Sequence, residues 1–479
     1  MISSKRMAAV DENAAALGVP RKQLMESSGN AVARAVREAA EPGASVAVVA
    51  GRGNNGGDAF VAARFLDGYD LTVHLLGRPE TISTTIAEEN WDALEAADYD
   101  ARTVTDSRAL DLGNPDVVVD AVLGTGVTGS LRDPEASAVG AINDADAVVV
   151  SVDVPTGVDA DTGESDGIAV EADRVVTFHD AKPGLADLDA DVVVADIGIP
   201  KAAELFVGPG DLRLVGREAE SHKGENGDVL VVGGGPFSGA PALSGMAVLR
   251  TGGDLANVAC PASVAEAIKG YEPDLIVQPL DGDHLEPDHV GDLLSMAEGK
   301  TAIVIGPGLG DADETLEAVR EFLSAFDGTA IVDADALRAV PEVDTDATLI
   351  CTPHQGEFAE MGGETSDDWR ERADLVEEFA GDLGHVLLVK GAHDVISDGE
   401  RTRVSRSGNP GMTVGGTGDV LAGATAALAS VCDPFEAATI AAYANGRAGD
   451  LLFEARGYGF TASQMLSELP LALRSDTDV

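Results

Sequence analysis

The chain has 479 residues, enough for two or three domains of ordinary size with substantial cores. Its 32 Lys+Arg against 83 Asp+Glu give a formal charge of −51, a field that repels nucleic acid phosphates and anionic lipid headgroups, so polyanion partners and membranes are excluded. The acidic residues are spread through the chain rather than gathered in a tail, which reads as a globular, halophilic protein whose stability rises as salt screens carboxylate repulsion.

Cys260, Cys351 and Cys432 form no CxxC or Cys/His spacing, so they read as buried free thiols and not as disulfides or a zinc site. Met1 to Pro20 lacks an apolar core behind a basic start, and no stretch approaches the roughly 20 apolar residues of a membrane span. A cytoplasmic protein is expected.

In chain order, Met7 to Leu24 suits an opening helix, continued by Glu26 to Glu38, before Ser45-Val-Ala-Val-Val-Ala50 reads as a buried parallel strand. Apolar runs at Leu71–Leu76, Val117–Val122, Ala147–Val152, Arg174–Phe178 and Asp191–Ile197 then alternate with helical stretches such as Asp58–Leu66 and Ser83–Ala97, or with glycine loops. Charged residues from Asp211 to Lys223 interrupt the pattern. A fresh strand starts at Asp228, and the alternation resumes with strands at Ala302–Gly306, Ala330–Asp333, Thr348–Thr352 and Val386–Lys390. Helices are expected at Asp313–Phe326, Trp369–Leu383, Asp419–Val431 and Pro434–Phe453. The fold class is α/β, in two doubly wound domains with the boundary near Arg217, 1–216 and 217–479.

The first glycine constellation, Gly51-Arg-Gly-Asn-Asn-Gly-Gly-Asp58, leaves a strand and opens a helix, where free amides and the helix dipole favour an anion. A lone Gly-x-Gly would be an ordinary βα turn; the whole octapeptide points to a phosphate cradle. Two later segments leave strands on the same expected face. Asp120 begins a loop through Gly124, Thr125, Gly126, Val127, Thr128, Gly129 and Ser130, and Asp153 opens Asp-Val-Pro-Thr-Gly-Val-Asp159. Taken singly these are loop carboxylates; together they make an acid/base site.

These three segments resemble the NAD(P)H-hydrate epimerase domain over most of residues 1 to 215, a Rossmann-like fold. The resemblance implies that Asn54, Asn55, Gly56, Gly57 and Asp58, with Gly124 to Ser130, bind hydrated NADH or NADPH. It implies that Asn55, Asp120 and Thr156 surround K⁺, and that Asp153 is catalytic. Ala59 and Phe60 depart from the usual pattern, a change of packing more than of chemistry.

The second constellation, Gly408-Asn-Pro-Gly-Met-Thr-Val-Gly-Gly-Thr-Gly-Asp-Val-Leu-Ala-Gly423, is the most specific stretch in the chain. Backbone amides of Gly415, Gly416 and Gly418 would form an anion hole for a transferring phosphoryl group, and Asp419 would accept a hydroxyl proton. This stretch, with Gly306-Pro-Gly-Leu-Gly310, Val332-Asp-Ala-Asp-Ala-Leu337, Thr352-Pro-His-Gln-Gly-Glu357 and Val389-Lys-Gly-Ala-His-Asp394, resembles the ADP-dependent NAD(P)H-hydrate dehydratase branch of the ribokinase-like fold over residues 218 to 475. The resemblance implies substrate contacts from Ala240, Gly308 and His354. It places ADP with Mg²⁺ on Lys390, Gly391, Ala392, His393, Asp394, Gly415, Gly416, Thr417 and Gly418, with Asp333 and Asp335 supporting. Family members usually carry Thr where Asp394 stands. The family also implies a homo-oligomer.

The alternative is a ribokinase-like kinase for a vitamin-precursor alcohol with a non-catalytic nucleotide-binding first half. Asp283, His284, Glu286, Asp288 and His289 mimic a metal site but read as a solvated acidic loop.

Overall fold

The structure, a computed structural model, describes residues 1–474 apart from 107, 109, 127, 128, 218 and 219. The chain divides into two compact units, Met1–Lys201 and Ala202–Val479. This division lies before the sequence boundary near Arg217 because residues after Lys201 pack with the second unit. Phe206 bridges to Val404, and the buried Arg403 donates to Asp211 at 3.0 Å. Such long-range partners leave no mark on the local pattern.

In the first unit the strands are β1 (Ser45–Ala50), β2 (Asp70–Leu76), β3 (Asp100–Val104), β4 (Val117–Ala121), β5 (Val148–Val152), β6 (Arg174–Phe178) and β7 (Asp191–Ala195). They form one parallel sheet in the order β3-β2-β1-β4-β5-β6-β7. Valine-rich β1, β4 and β5 are buried nearly end to end, as central parallel strands must be. Strand order reverses between β1 and β4, which opens a crevice outside their C-terminal ends. The edge strand β3 has only Val104 buried, so no apolar run announces it.

The opening helix expected over Met7 to Leu24 is two helices, Ser4–Ala16 and Arg21–Ala39. Pro20 sits extended at the second N-cap, with ψ 149, and drives the residue before it out of the helical region. Ala59 and Phe60 are fully buried, and Phe60 packs edge-on against Trp91.

The second unit contains β8 (Asp228–Val232), β9 (Leu255–Pro261), β10 (Ile276–Leu280), β11 (Ala302–Ile305), β12 (Thr329–Val332), β13 (Thr348–Cys351), β14 (Val386–Val389), β15 (Asp394–Ser397) and β16 (Thr402–Ser405). Their order is β10-β9-β8-β11-β12-β13-β14-β15-β16, parallel as far as β14 and antiparallel in the closing hairpin. Apolar side chains on both faces of this sheet form the core. Cys260 and Cys351 lie in it, and burial pushes their thiols up to about 11 and about 12, which leaves them unreactive. Among the described residues no helix is long and apolar enough to cross a membrane.

Candidate active sites

In the first unit, β1 delivers the chain to the loop Gly51–Gly53, and the helix Asn54–Phe65 begins at Asn54 rather than at Asp58. Its N-cap, Gly53, has no side chain, and the first-turn N–H groups of Asn54, Asn55 and Gly56 have no acceptor among the described residues. They stand at the positive end of the helix dipole, ready for a phosphate. Only glycine fits at 56, since a β-carbon there would lie 2.1 Å from the Gly51 carbonyl oxygen. Gly57 is buried beside it.

The loops after β1 and β4 meet through side chains. Asn54 Oδ1 accepts from Thr84 at 2.8 Å, and Asn55 Nδ2 donates to the Leu123 carbonyl at 2.9 Å. Gly124, Thr125, Gly126, Gly129 and Ser130 continue the second loop, partly to fully exposed, and Gly124 and Gly129 border a cavity of about 370 Å³. Val127 and Thr128 lie outside the described residues.

Asp120, fully buried near the end of β4, accepts from Thr156 Oγ1 at 2.7 Å, Thr156 N at 2.9 Å and Ser151 Oγ at 2.8 Å. Burial raises its pKa and those hydrogen bonds oppose the rise. No Lys or Arg pairs with it among the described residues. The Leu123 carbonyl and Thr156 Oγ1 are 3.3 Å apart, so carboxylate, hydroxyl, carbonyl and the neighbouring Asn55 amide gather hard oxygen donors. No group of three His, Cys, Asp or Glu accompanies them among the described residues. That donor set fits a weakly charged cation such as K⁺ rather than a transition metal.

Asp153 follows β5 directly and holds φ at +65, a left-handed conformation that a non-glycine residue keeps only when its surroundings impose it. Its N–H donates to the Val176 carbonyl at 2.8 Å. Its carboxylate accepts from Thr177 at 3.1 Å and pairs with Lys182 Nζ at 2.8 Å. Lys182 is 1% exposed and also donates to the Phe178 carbonyl at 2.9 Å.

Lys182 and Asp11 are site residues that the motifs missed. Lys182 could have been suspected from its place in a proline-glycine loop after β6, on the edge where ligands bind. Asp11, on the helix Ser4–Ala16, carries no such sign. Its carboxyl is pushed up to about 6 by burial, against the opposing charge of Arg21 and with the help of Asp153.

In the second unit the strand ends explain why motifs scattered from Gly233 to Asp419 converge. The adjacent parallel strands β8, β11, β12, β13 and β14 end immediately before Gly233, Gly306, Asp333, Thr352 and Lys390. The helix Thr417–Ala429 points its N-terminus at the same edge. Gly416, its N-cap, has φ +97, which favours glycine, and the N–H groups of Thr417, Gly418 and Asp419 have no acceptor among the described residues. The N–H groups of Gly415 and Gly416 likewise have no acceptor among the described residues, so the open amides run from Gly415 to Asp419.

Lys390 Nζ reaches into it: a β-carbon on Gly418 would lie 3.3 Å from that nitrogen. Lys390 also pairs with Asp333 at 3.0 Å and stands 3.9 Å from Glu357. Burial lowers its pKa, but Asp333 and Glu357 outweigh burial and the net shift is upward. Burial, then the Asp333 charge, pushes Asp419 up to about 7, with Lys390 opposing. A carboxyl so poised suits a general base near neutrality.

His354 bridges to Lys390 and caps the helix Gln355–Glu360, its Nδ1 accepting the N–H groups of Gly356 and Glu357 at 3.0 Å. Those bonds leave Nε2 as the other ring nitrogen; it stands 3.5 Å from Glu357 Oε1 on a side chain that is 60% exposed. Ala240 opens the helix Gly239–Thr251 and touches the space beside Gly308, with the exposed Phe237 next to both. That helix packs on the Asp419 helix, where Ser244 donates to the Asp419 carbonyl at 2.9 Å.

Gly391 and Ala392 are exposed in the turn before β15, and His393 stacks on Trp369 with centroids 5.4 Å apart. Asp394 accepts the Gly391 N–H at 2.8 Å, so it closes the turn on itself; burial pushes its carboxyl up to about 7, with Gly391, Lys390 and Arg372 opposing. Asp333 is occupied by Lys390 and Thr352, and Asp335 by the Gly310 N–H at 3.0 Å, so the described residues provide no protein cage for Mg²⁺. That fits a metal carried on nucleotide phosphates. His284 pairs with exposed Asp283, and His289 Nδ1 accepts the Glu286 N–H, which makes the acidic loop structural.

Two α/β sites, each joining open helix-terminal amides to a carboxylate at the C-terminal edge of a sheet, define a two-site nucleotide-handling enzyme. Residues 21–184 match the family model described as YjeF-related protein N-terminus, and residues 229–471 match the model described as NAD(P)H-hydrate dehydratase. A bifunctional NAD(P)H-hydrate repair enzyme of Methanothermobacter thermautotrophicus is 44% identical over 486 residues, covering 97% of this chain and 93% of that protein. Its counterpart in Pyrobaculum aerophilum is 44% identical over 491 residues, covering 99% and 98%. A hypothetical protein of Streptococcus mutans shares the second unit's fold, with TM-score 0.50 and 23% identity over 56% of this chain and 98% of its own. The chain belongs to the bifunctional NAD(P)H-hydrate repair enzyme family.

Proposed function

We propose that the chain repairs nicotinamide dinucleotides that have taken up water at ring carbon C6. The first unit interconverts the R and S epimers of hydrated NADH or NADPH. The second dehydrates the S epimer at the expense of ADP, giving AMP and phosphate. The observation that carries this reading is the presence on one chain of both carboxylates in working surroundings, Asp153 against Lys182 and Asp419 beside open amides and Lys390.

In the first site Asn54 to Asp58 and Gly124 to Ser130 bind the dinucleotide, and Asp153 moves protons at the C6 hydroxyl. Asn55, Asp120 and Thr156 would hold K⁺, which would supply a fixed positive charge to the site. In the second site Ala240, Gly308 and His354 position the hydrated ring, and Lys390 to Asp394 hold the nucleotide. Asp419 takes the C6 hydroxyl proton as the oxygen attacks the terminal phosphoryl group. The amides of Thr417 to Asp419, with Lys390, stabilise the charge on that group. Phosphate then leaves C6, driven by the ring nitrogen's electron pair, and loss of a C5 proton restores the dihydronicotinamide. Mg²⁺ would arrive on the phosphates.

The test is recovery of reduced nicotinamide absorbance from mixed epimers of hydrated NADH in high potassium chloride, with ADP, ATP or neither. Nucleotide-dependent recovery that consumes both epimers is expected. Recovery that stops when one epimer is exhausted would remove the epimerase, and none at all would favour the vitamin-alcohol kinase, a reading the family match over the first unit does not favour. The acidic composition supports salt-dependent activity in the same assay, and the resemblance supports a homo-oligomer, read from the mass in solution.

Asp394 gives a pH-dependent prediction. Below about pH 7 it is neutral, and above it an ionised carboxylate faces the nucleotide. Asp394→Asn keeps an acceptor for the Gly391 N–H and removes the charge. It should lower the nucleotide KM about tenfold near pH 8.5 and leave it unchanged near pH 6, measured from initial rates with the S epimer.

A further inference from the structure

The crevice of the first unit holds a second carboxyl that the reading above leaves without a chemical task. Asp58 lies one turn inside the helix Asn54–Phe65, nine-tenths buried, and its carboxyl has no hydrogen-bond or ion-pair partner among the described residues. The charged groups facing it are Asp153 and Asp11. Asp11 in turn faces Arg21, Asp153, Lys182 and His179. The first helix is tied to this cluster by the Ile2 N–H, which donates to the carbonyl of Ala181, the residue before Lys182, at 2.9 Å.

The Asp58 and Asp153 carboxyls therefore sit in opposite surroundings. Asp153 has a buried ammonium at 2.8 Å and a hydroxyl at 3.1 Å. Asp58 has neither, and burial, followed by the charges of Asp153 and Asp11, raises its pKa well above the usual carboxyl range. A carboxyl held by two donors beside a buried carboxyl with none gives one group placed to take a proton and one placed to give it.

We propose that Asp58 is the general acid of the first site, protonating ring nitrogen N1 of the hydrated nicotinamide while Asp153 takes the C6 hydroxyl proton. This rests on the epimerase reading of the first unit. As Asp153 removes the hydroxyl proton, C6 becomes a carbonyl carbon and the C6–N1 bond breaks with its electron pair passing to N1, which receives the Asp58 proton. The C6 aldehyde turns its other face to N1. The nitrogen re-adds, returning its proton to Asp58, and the oxygen recovers the proton held by Asp153. Nothing is oxidised or reduced, and both carboxyls end as they began.

The full-length chain carries its own fold control, because S-epimer dehydration takes place in the second unit. For Asp58→Asn, R-epimer conversion should fall at least about 100-fold while ADP-dependent S-epimer dehydration is unchanged. Asp11→Asn tests the same idea without touching Asp58. Removing that negative charge makes Asp58 more acidic, so the alkaline limb of the R-epimer pH–rate profile should move to lower pH. Near-normal R-epimer conversion by Asp58→Asn, or an unmoved alkaline limb in Asp11→Asn, would overturn the assignment. A wild-type chain that converts the R epimer no faster than buffer would overturn the epimerase reading itself, a result read before any variant is made.

Discussion

Asp419→Asn should abolish dehydration, with kcat for the S epimer reduced about 10³-fold or more, while R-to-S epimerisation proceeds at the wild-type rate. Asn keeps the volume and the polar contacts of the side chain but cannot accept a proton, so the loss is chemical and not structural. Asp419 is half-buried at the first turn of the helix Thr417–Ala429, and the Ser244 bond goes to its backbone carbonyl, so the substitution leaves the helix anchored. The wild-type kcat/KM for dehydration should rise with pH through about 7, because the ionised form is the base and burial with Asp333 holds the carboxyl there. The same shift has a stability consequence of opposite sign. A carboxyl with a raised folded-state pKa binds its proton more tightly when folded, so this group stabilises the fold below its unfolded pKa and that contribution is lost as pH rises toward 7. Activity and stability therefore move in opposite directions as pH rises to about 7. An Asp419→Asn chain that dehydrates at wild-type rate would remove Asp419 from the chemistry; one that retains the rise with pH would assign the titration to another group.

The elements that the sequence shows plainly are those whose burial is one-sided or complete. Valine runs such as Ser45–Ala50 and Val117–Ala121 announce central parallel strands, and glycine loops after them mark the ligand edge. Exposed β3 and β10 are silent because their stability comes from neighbours and not from an apolar face. β9 is hidden for another reason: Asn257 interrupts its run, and only the structure shows the amide bound to Asp228 at 2.8 Å. The sites divide likewise. Residues in continuous motifs, Asn54 to Asp58 and Gly415 to Asp419, were legible because backbone geometry and chemistry share one stretch of chain. Lys182 and Asp11 were not, because their part in the site depends on partners brought from β5 and the first helix, and Asp58, expected at the helix start, lies one turn inside a helix that begins at Asn54.

Lys182→Met should cost the first unit about 3–5 kcal/mol and remove epimerisation, with dehydration of the S epimer intact. Methionine fills the space of the lysine stem, so packing is largely kept. What is lost is the ammonium that stabilises Asp153 at 2.8 Å and satisfies the Phe178 carbonyl at 2.9 Å, at a position only 1% exposed. Asp153 would then carry an uncompensated charge at a backbone already held at φ +65. The chain has two tryptophans, so in a Trp369→Phe background the buried Trp91 alone reports unfolding of the first unit. Adding Asp153→Asn to Lys182→Met removes the orphaned charge, and the double variant should unfold at higher denaturant than Lys182→Met by itself. Because the pair is buried, this order should persist in high salt, where surface pairs are screened. A double variant less stable than either single change would mean that Lys182 supports the loop through its carbonyl contacts, leaving Asp153 to be held in place by β5, β6 and Thr177.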